Sequence, residues 1–172
     1  MINLFFDCEM TKLAMQHDPE SAELISIGCI SEFGQHKFYA ENADVLARPE
    51  EFNHFVFEIV MPHLEGGYVE MPYQELALRL KAFIEGFNDE VNLWTDSPYF
   101  DWPNIVQLFG MFGWPKNLNR QPGDLRFPYL VQVEAFEAAL EEAFKNLRRH
   151  HALDDAIANL EGYRKAISVL QN

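Results

Sequence analysis

Asp7 and Glu9 stand two residues apart, where an apolar run over residues 2–6 gives way to the segment FFDCEMT. The period of two in a strand sets both side chains on one face. Two adjacent carboxylates repel, and each raises the other's pKa unless a cation lies between them. Asp-x-Glu at a strand end is therefore a natural site for a hard divalent ion such as Mg2+ or Mn2+, which prefers oxygen ligands. The alternative is a pair of exposed acids at the end of a strand.

Two more places carry similar chemistry. In LWTDSPYFDW, Asp101 follows two aromatics and opens a helical pattern, so it is either an N-cap or an acidic ligand, and Asp96 is its rival at the strand end itself. In HHALDDA, a histidine pair precedes an acidic helix start. A histidine in the loop and Asp155 in the first turns of the following helix can converge on one point. A carboxylate beside a near-neutral imidazole suits metal-assisted hydrolysis, with the histidine taking a proton from water. The alternative is an exposed histidine pair. His150 and His151 as zinc ligands is a weaker reading, because thiolates or further histidines at suitable spacing are lacking.

The elements that must position these residues follow from hydrophobic periodicity. Strands are predicted over residues 2–6, 24–33, 37–40 and 91–95, with a tight turn at Phe33-Gly34 making a hairpin of the second and third. Helical spacing covers 52–64, perturbed near Pro62, and 73–86 after a break at Gly66-Gly67. Further helices are predicted over 102–109, 134–149 and 152–170, with Pro103 tolerated in a first turn. Residues 114–128, rich in Pro, Asn and Gly, read as loop. Three strands, helices, a strand and more helices imply an α/β domain with a mixed sheet flanked by helices.

Composition narrows the class. The chain has 172 residues, the length of one domain. Its 48% hydrophobic content excludes disorder, and its two cysteines, Cys8 and Cys29, exclude a disulfide scaffold or zinc ribbon. No apolar run is long enough to span a membrane. The N-terminus lacks the basic region and cleavage site of a signal peptide. These features lead us to expect a reduced, cytoplasmic protein with no membrane partner. The net charge of −14 argues against bulk duplex binding, which runs on counterion release by basic residues. That charge is concentrated in residues 1–115, whereas 116–149 carries six basic and five acidic residues and is the natural place for an anionic partner.

Taken in chain order, Asp7 and Glu9 in FFDCEMT, Asp101 in SPYFDW, and His150 and Asp155 in HHALDDA resemble the three motifs of the DEDDh family of 3′-5′ exonucleases, which includes oligoribonuclease and RNase T. Five positions separate histidine from aspartate in the third motif, which selects His150 over His151 and Asp155 over Asp154. Compact size and the LWTDSPYFDW segment look most like a small exoribonuclease branch.

The resemblance implies an RNase H-like fold spanning 1–172. It implies two Mg2+ or Mn2+ ions held by Asp7, Glu9, Asp101 and Asp155, with His150 as general base. It also implies a single-stranded nucleic acid substrate, RNA favoured, released as nucleoside 5′-monophosphates. Met10 and Thr11 would line the pocket for the 3′-terminal nucleotide. Lys145, Arg148 and Arg149, just before His150, would steer the backbone, and Phe57, Tyr99, Phe100 and Trp102 are candidates for stacking on bases. Relatives of this kind are often homodimers, so a homodimer is expected. The stretch 114–128 has no counterpart and is expected at the substrate entrance. Single-stranded DNA as substrate, and a catalytically silent binding module, are the alternatives.

Overall fold

The computed structural model describes residues 1–12, 22–126 and 133–170. A six-stranded mixed sheet runs in the order β4-β3-β2-β1-β5-β6. Strands β1 (Ile2–Met10), β2 (Leu24–Ser31) and β3 (Lys37–Asn42) form an antiparallel meander, and the short helix α1 (Ala43–Leu46) follows β3. β5 (Val91–Thr95) then pairs in parallel with β1, and the two-residue strands β4 (Glu70–Met71) and β6 (Gly123–Asp124) extend the edges in parallel. The mixed α/β architecture is the one expected from the order of elements.

Central position explains the composition of β1. A strand covered on both faces needs apolar side chains on both. Leu4, Phe6 and Cys8 point into a core shared with α2 (Tyr73–Glu85) and α3 (Pro98–Phe112), where Leu76, Leu80, Ile105 and Leu108 are completely buried. Phe5 points the other way, into a core with Phe136 of α4 (Val133–Ala143) and Ala156 and Leu160 of α5 (Ala152–Leu170). Asp7 and Glu9 continue the period of Phe5, so the strand delivers them to the α4/α5 side at the point where that core ends.

The structure moves several boundaries. β1 does not stop at residue 6, because its ladder with β2 continues through Asp7↔Gly28 and Glu9↔Ser26 before an irregularity at Met10. The second strand ends at Ser31, and Gly34, with φ +77°, makes the expected turn. Residues 52–64 form no regular α-helix. Val56–Val60 is a π-helical turn and Met61–His63 a 3-10 turn, with Pro62 inside the latter. Val56 and Val60 still reach a small core with Ile25 and Val45, which is what the spacing registered.

α3 begins at Pro98 rather than 102, and its N-cap residue is Ser97. Asp101 therefore sits inside the first turn and is no N-cap. α4 ends at Ala143, and the chain turns through Phe144 to His150 instead of continuing as helix to 149. Residues 114–126 are not a free loop. Asn117 and Leu118 dock on Val91, and Gly123 lies under Trp94, whose indole ring occupies the space a Cβ there would need. Residues 127 and 128, the end of the expected loop, lie outside the described residues. Among the described residues no helix is long and apolar enough to cross a membrane.

Candidate metal centre

Four elements deliver acidic side chains to one cavity of about 780 Å3. β1 presents Asp7 and Glu9. The chain after β5 presents Asp96, and the first turn of α3 presents Asp101. The first turn of α5 presents Asp155, and the turn before it His150. Two sets of potential ligands result. In one, Glu9, His150 and Asp155 offer atoms that all lie within 4.8 Å of one another; in the other, Asp7, Asp96 and Asp101 do the same.

The close approach of α5 makes this convergence possible. Gly28, the β2 partner of Asp7, has the backbone of Ala152 and Leu153 directly over it. With no side chain there, the start of α5 drops onto the sheet beside Asp7, and Asp155 arrives next to Glu9. His150 takes the left-handed conformation, φ +67°, and its N–H donates to Asp155 Oδ2 at 2.9 Å. Asp101, only 2% exposed, accepts a hydrogen bond from the Thr95 hydroxyl.

The electrostatics of the cluster are hostile to negative charge. Burial raises the Asp7 carboxyl well above the usual range, and Asp101, Asp155, Glu9 and Asp96 each raise it further. Burial and then the charge of Asp155 push Glu9 up to about 9. Burial takes Asp101 to about 8 despite the Thr95 hydrogen bond, and Asp155 to about 7 despite the His150 N–H. Burial, helped by Arg149 and His63, lowers His150, so its imidazole is neutral near pH 7.

Such a cluster holds either protons or cations. Among the described residues neither Asp7 nor Asp101 pairs with a basic side chain. The donor set is carboxylate oxygens with one imidazole beside them, which fits Mg2+ or Mn2+ and does not fit a thiolate-preferring metal.

All five residues singled out by the motifs, Asp7, Glu9, Asp101, His150 and Asp155, line this cavity, and so does the rival Asp96. Asp96 is held by Asn159 Nδ2 at 3.1 Å and Arg126 Nη2 at 3.0 Å. Met10 also lines the cavity. Thr11 does not: it is buried, and its hydroxyl accepts the Glu23 N–H at 3.1 Å.

Of the three cations, Arg149 reaches the rim, paired with Glu141 at 2.7 Å and stacked over Phe144. Lys145 and Arg148 face a neighbouring groove instead, and both are paired with acids. Phe100 lines the cavity, whereas Phe57 and Tyr99 are exposed outside its lining and Trp102 packs on Trp114.

His151 and Asp154 turn away from the cavity. His151 is fully buried and stacked on Tyr39 with ring centroids 4.3 Å apart, so the pair His150–His151 cannot share a zinc ion. Sequence reading passed over Asn53, Phe55, Arg126, Glu137 and Asn159, which all line the cavity. Arg126 belongs to the basic stretch 116–149, and Asn159 lies one helical turn after Asp155 and so shares its face. Phe55 stands edge-on to His150 at 5.1 Å and is half exposed, a contact made across the fold.

The sheet order, with α5 laid across the antiparallel strands beside an acidic cavity, defines an RNase H-like α/β fold. No family model matches the chain, and no curated protein matches it in sequence. Among solved structures, that of S. pombe Pop2p in its Mg2+- and Mn2+-bound form is similar over 99% of this chain and 83% of its own, with a TM-score of 0.68 and 12% sequence identity. At that identity the likeness is one of fold.

Proposed function

We propose that this chain is a metal-dependent 3′-5′ exoribonuclease of the DEDDh type, acting on single-stranded RNA and releasing nucleoside 5′-monophosphates. One observation carries the reading: Asp7, Glu9, Asp101, Asp155 and His150, scattered over the chain, line one cavity as two adjoining ligand sets. The fold shared with a protein whose structure holds Mg2+ and Mn2+ supports it.

Two divalent ions, when bound, would supply charge neutralisation for attack at phosphorus and for the leaving oxygen. Asp7 and Asp101 would hold one ion, and Glu9 and Asp155 the other, with Asp7 beside both sets on β1. His150, neutral at pH 7 and set at the cavity wall, would take the proton of the attacking water. Phe55 and Phe100 offer apolar ring surface to a base. The net charge of −14 disfavours a long duplex, whose binding runs on counterion release by basic residues.

The test is a time course with 5′-labelled single-stranded RNA and matched DNA, in Mg2+ or Mn2+, beside an Asp7→Ala control. The expected result is a ladder shortening from the 3′ end of RNA, abolished by EDTA and by the substitution. Degradation of DNA alone would replace the substrate, and no degradation of either would leave a silent binding module.

A further inference from the structure

Arg148 lies two residues before His150, yet its guanidinium is spent on neighbours rather than turned to the cavity. Nε donates to Asp154 Oδ2 at 2.7 Å, Nη2 to Glu65 Oε1 at 3.1 Å, and Nη1 to the His63 carbonyl at 3.4 Å. The Arg148 backbone N–H donates to the same Asp154 oxygen at 3.0 Å. One side chain thus ties the turn at 61–66 to both ends of the segment that carries His150.

Beneath it lies a buried polar stack. His151 Nδ1 sits 3.3 Å from Arg148 Nη2 and accepts the Asp154 N–H at 3.3 Å, which leaves its proton on Nε2, 3.4 Å from Glu65 Oε1 but without a hydrogen bond to it. The ring stacks on Tyr39. The Tyr39 hydroxyl donates to Glu41 at 2.8 Å, and Glu41, completely buried, also accepts the N–H groups of Glu65 at 2.6 Å and Gly66 at 3.0 Å. β3, the 61–66 turn and the 148–154 turn are therefore one hydrogen-bonded unit.

His150 is the residue enclosed by this unit. A non-glycine residue at φ +67° sits in a sparsely populated conformation that persists only where its surroundings impose it. Arg148 holds the chain before it, His151 the chain after it, and Asp154 the residue next to Asp155.

We propose that Arg148, bridging Asp154 and Glu65 over His151, is a positioning residue that holds His150 and Asp155 in place, and that it is not a contact to the substrate backbone. The kinetic half of this inference rests on the exoribonuclease reading; the structural half does not.

Arg148→Gln and Glu65→Gln test it, separately and together. For a single-stranded RNA substrate, kcat is expected to fall about 10- to 100-fold in either variant, as when the support of a site residue is lost. KM and its salt dependence should stay within twofold of the parent, and the double variant should be no worse than the worse single one. In amide hydrogen exchange, protection of the His150 N–H, which is bonded to Asp155, should drop at least tenfold, while the amides of β1 and β5 keep theirs.

A rise in KM with a salt slope shallower by about 0.7 would identify Arg148 as a phosphate contact and overturn the proposal. Unchanged His150 protection in both variants would overturn it as well. Glu65→Gln keeps the shape of a partly exposed side chain, so it still reads if Arg148→Gln fails to fold. Should the parent protein cleave no nucleic acid, the exoribonuclease reading falls, and the exchange measurement alone decides the clamp.

Discussion

Leu153 lies over Gly28 so closely that a Cβ built on the glycine would be 2.2 Å from the Leu153 nitrogen. This contact sets the height of α5 above the sheet, and with it the distance from Asp155 on the helix to Asp7, the strand partner of Gly28. A backbone atom cannot swing aside as a side chain can. Gly28→Ala is therefore expected to destabilise the fold by about 3 kcal/mol and to lower the melting temperature by roughly 6–12 °C. It should also weaken Mn2+ binding, read by titration calorimetry. A variant with parental melting temperature and parental Mn2+ affinity would show that α5 is not seated by this contact.

Burial first, and the charges of four neighbouring carboxylates second, oppose ionisation of Asp7 in the native state. Replacing it by the neutral isostere should remove that cost and, at the same time, a proposed metal ligand. In EDTA at pH 8, Asp7→Asn is expected to be more stable than the parent by about 1–2 kcal/mol. Added Mg2+ or Mn2+ should then raise its melting temperature far less than the parent's. The two effects have opposite signs, so a thermal melt with and without divalent ion reads both.

The raised carboxylates also dictate how stability varies with pH. Glu9, Asp101 and Asp155 titrate near 9, 8 and 7 in the folded chain, against ordinary values of 4.5, 3.8 and 3.8. Between these limits the folded chain keeps protons that the unfolded chain has released, so unfolding free energy falls as pH rises. The metal-free protein should be most stable toward the acid end of this window and lose stability steadily up to about pH 9. In the proposed metal centre divalent ions would replace the protons, and at a hundredfold excess over Kd they would add about 2.7 kcal/mol. Melting temperatures in EDTA that rise between pH 6 and 9 would contradict this.

The adjacent histidines should separate cleanly. His150→Asn keeps a residue that tolerates a positive φ and removes the proposed base. Its kcat on single-stranded RNA is expected to fall 10²- to 10⁴-fold, on the order of a lost general base, with little change in melting temperature. His151→Ala empties a fully buried position against Tyr39 and is expected to cost about 3 kcal/mol of stability. The reverse pattern would transfer the base to His151.

Local periodicity in the sequence determined most of the elements. The alternation along β1 already placed Asp7 and Glu9 on one face, because a strand's side chains alternate whatever it pairs with. The acidic residues after the histidine pair marked the helix start at 152, and α2, β5 and α5 follow their apolar spacing closely. These are properties of a few consecutive residues, and a single sequence contains them.

Tertiary structure decided what depends on partners remote in the chain. β1 extends past residue 6 because β2 continues to pair with it. The turn at 56–63 is not α-helical, although its apolar spacing suits a helix, and it buries Val56 and Val60 in its small core with Met61 packed against them. Asp96 and Asp101 both reach the cavity because α3 starts four residues earlier than its apolar pattern. Arg148 looks like a cation free for phosphate until Glu65, more than 80 residues away, is brought beside it. A side chain's type states which bonds it can make; only the packed chain determines which partners lie within reach.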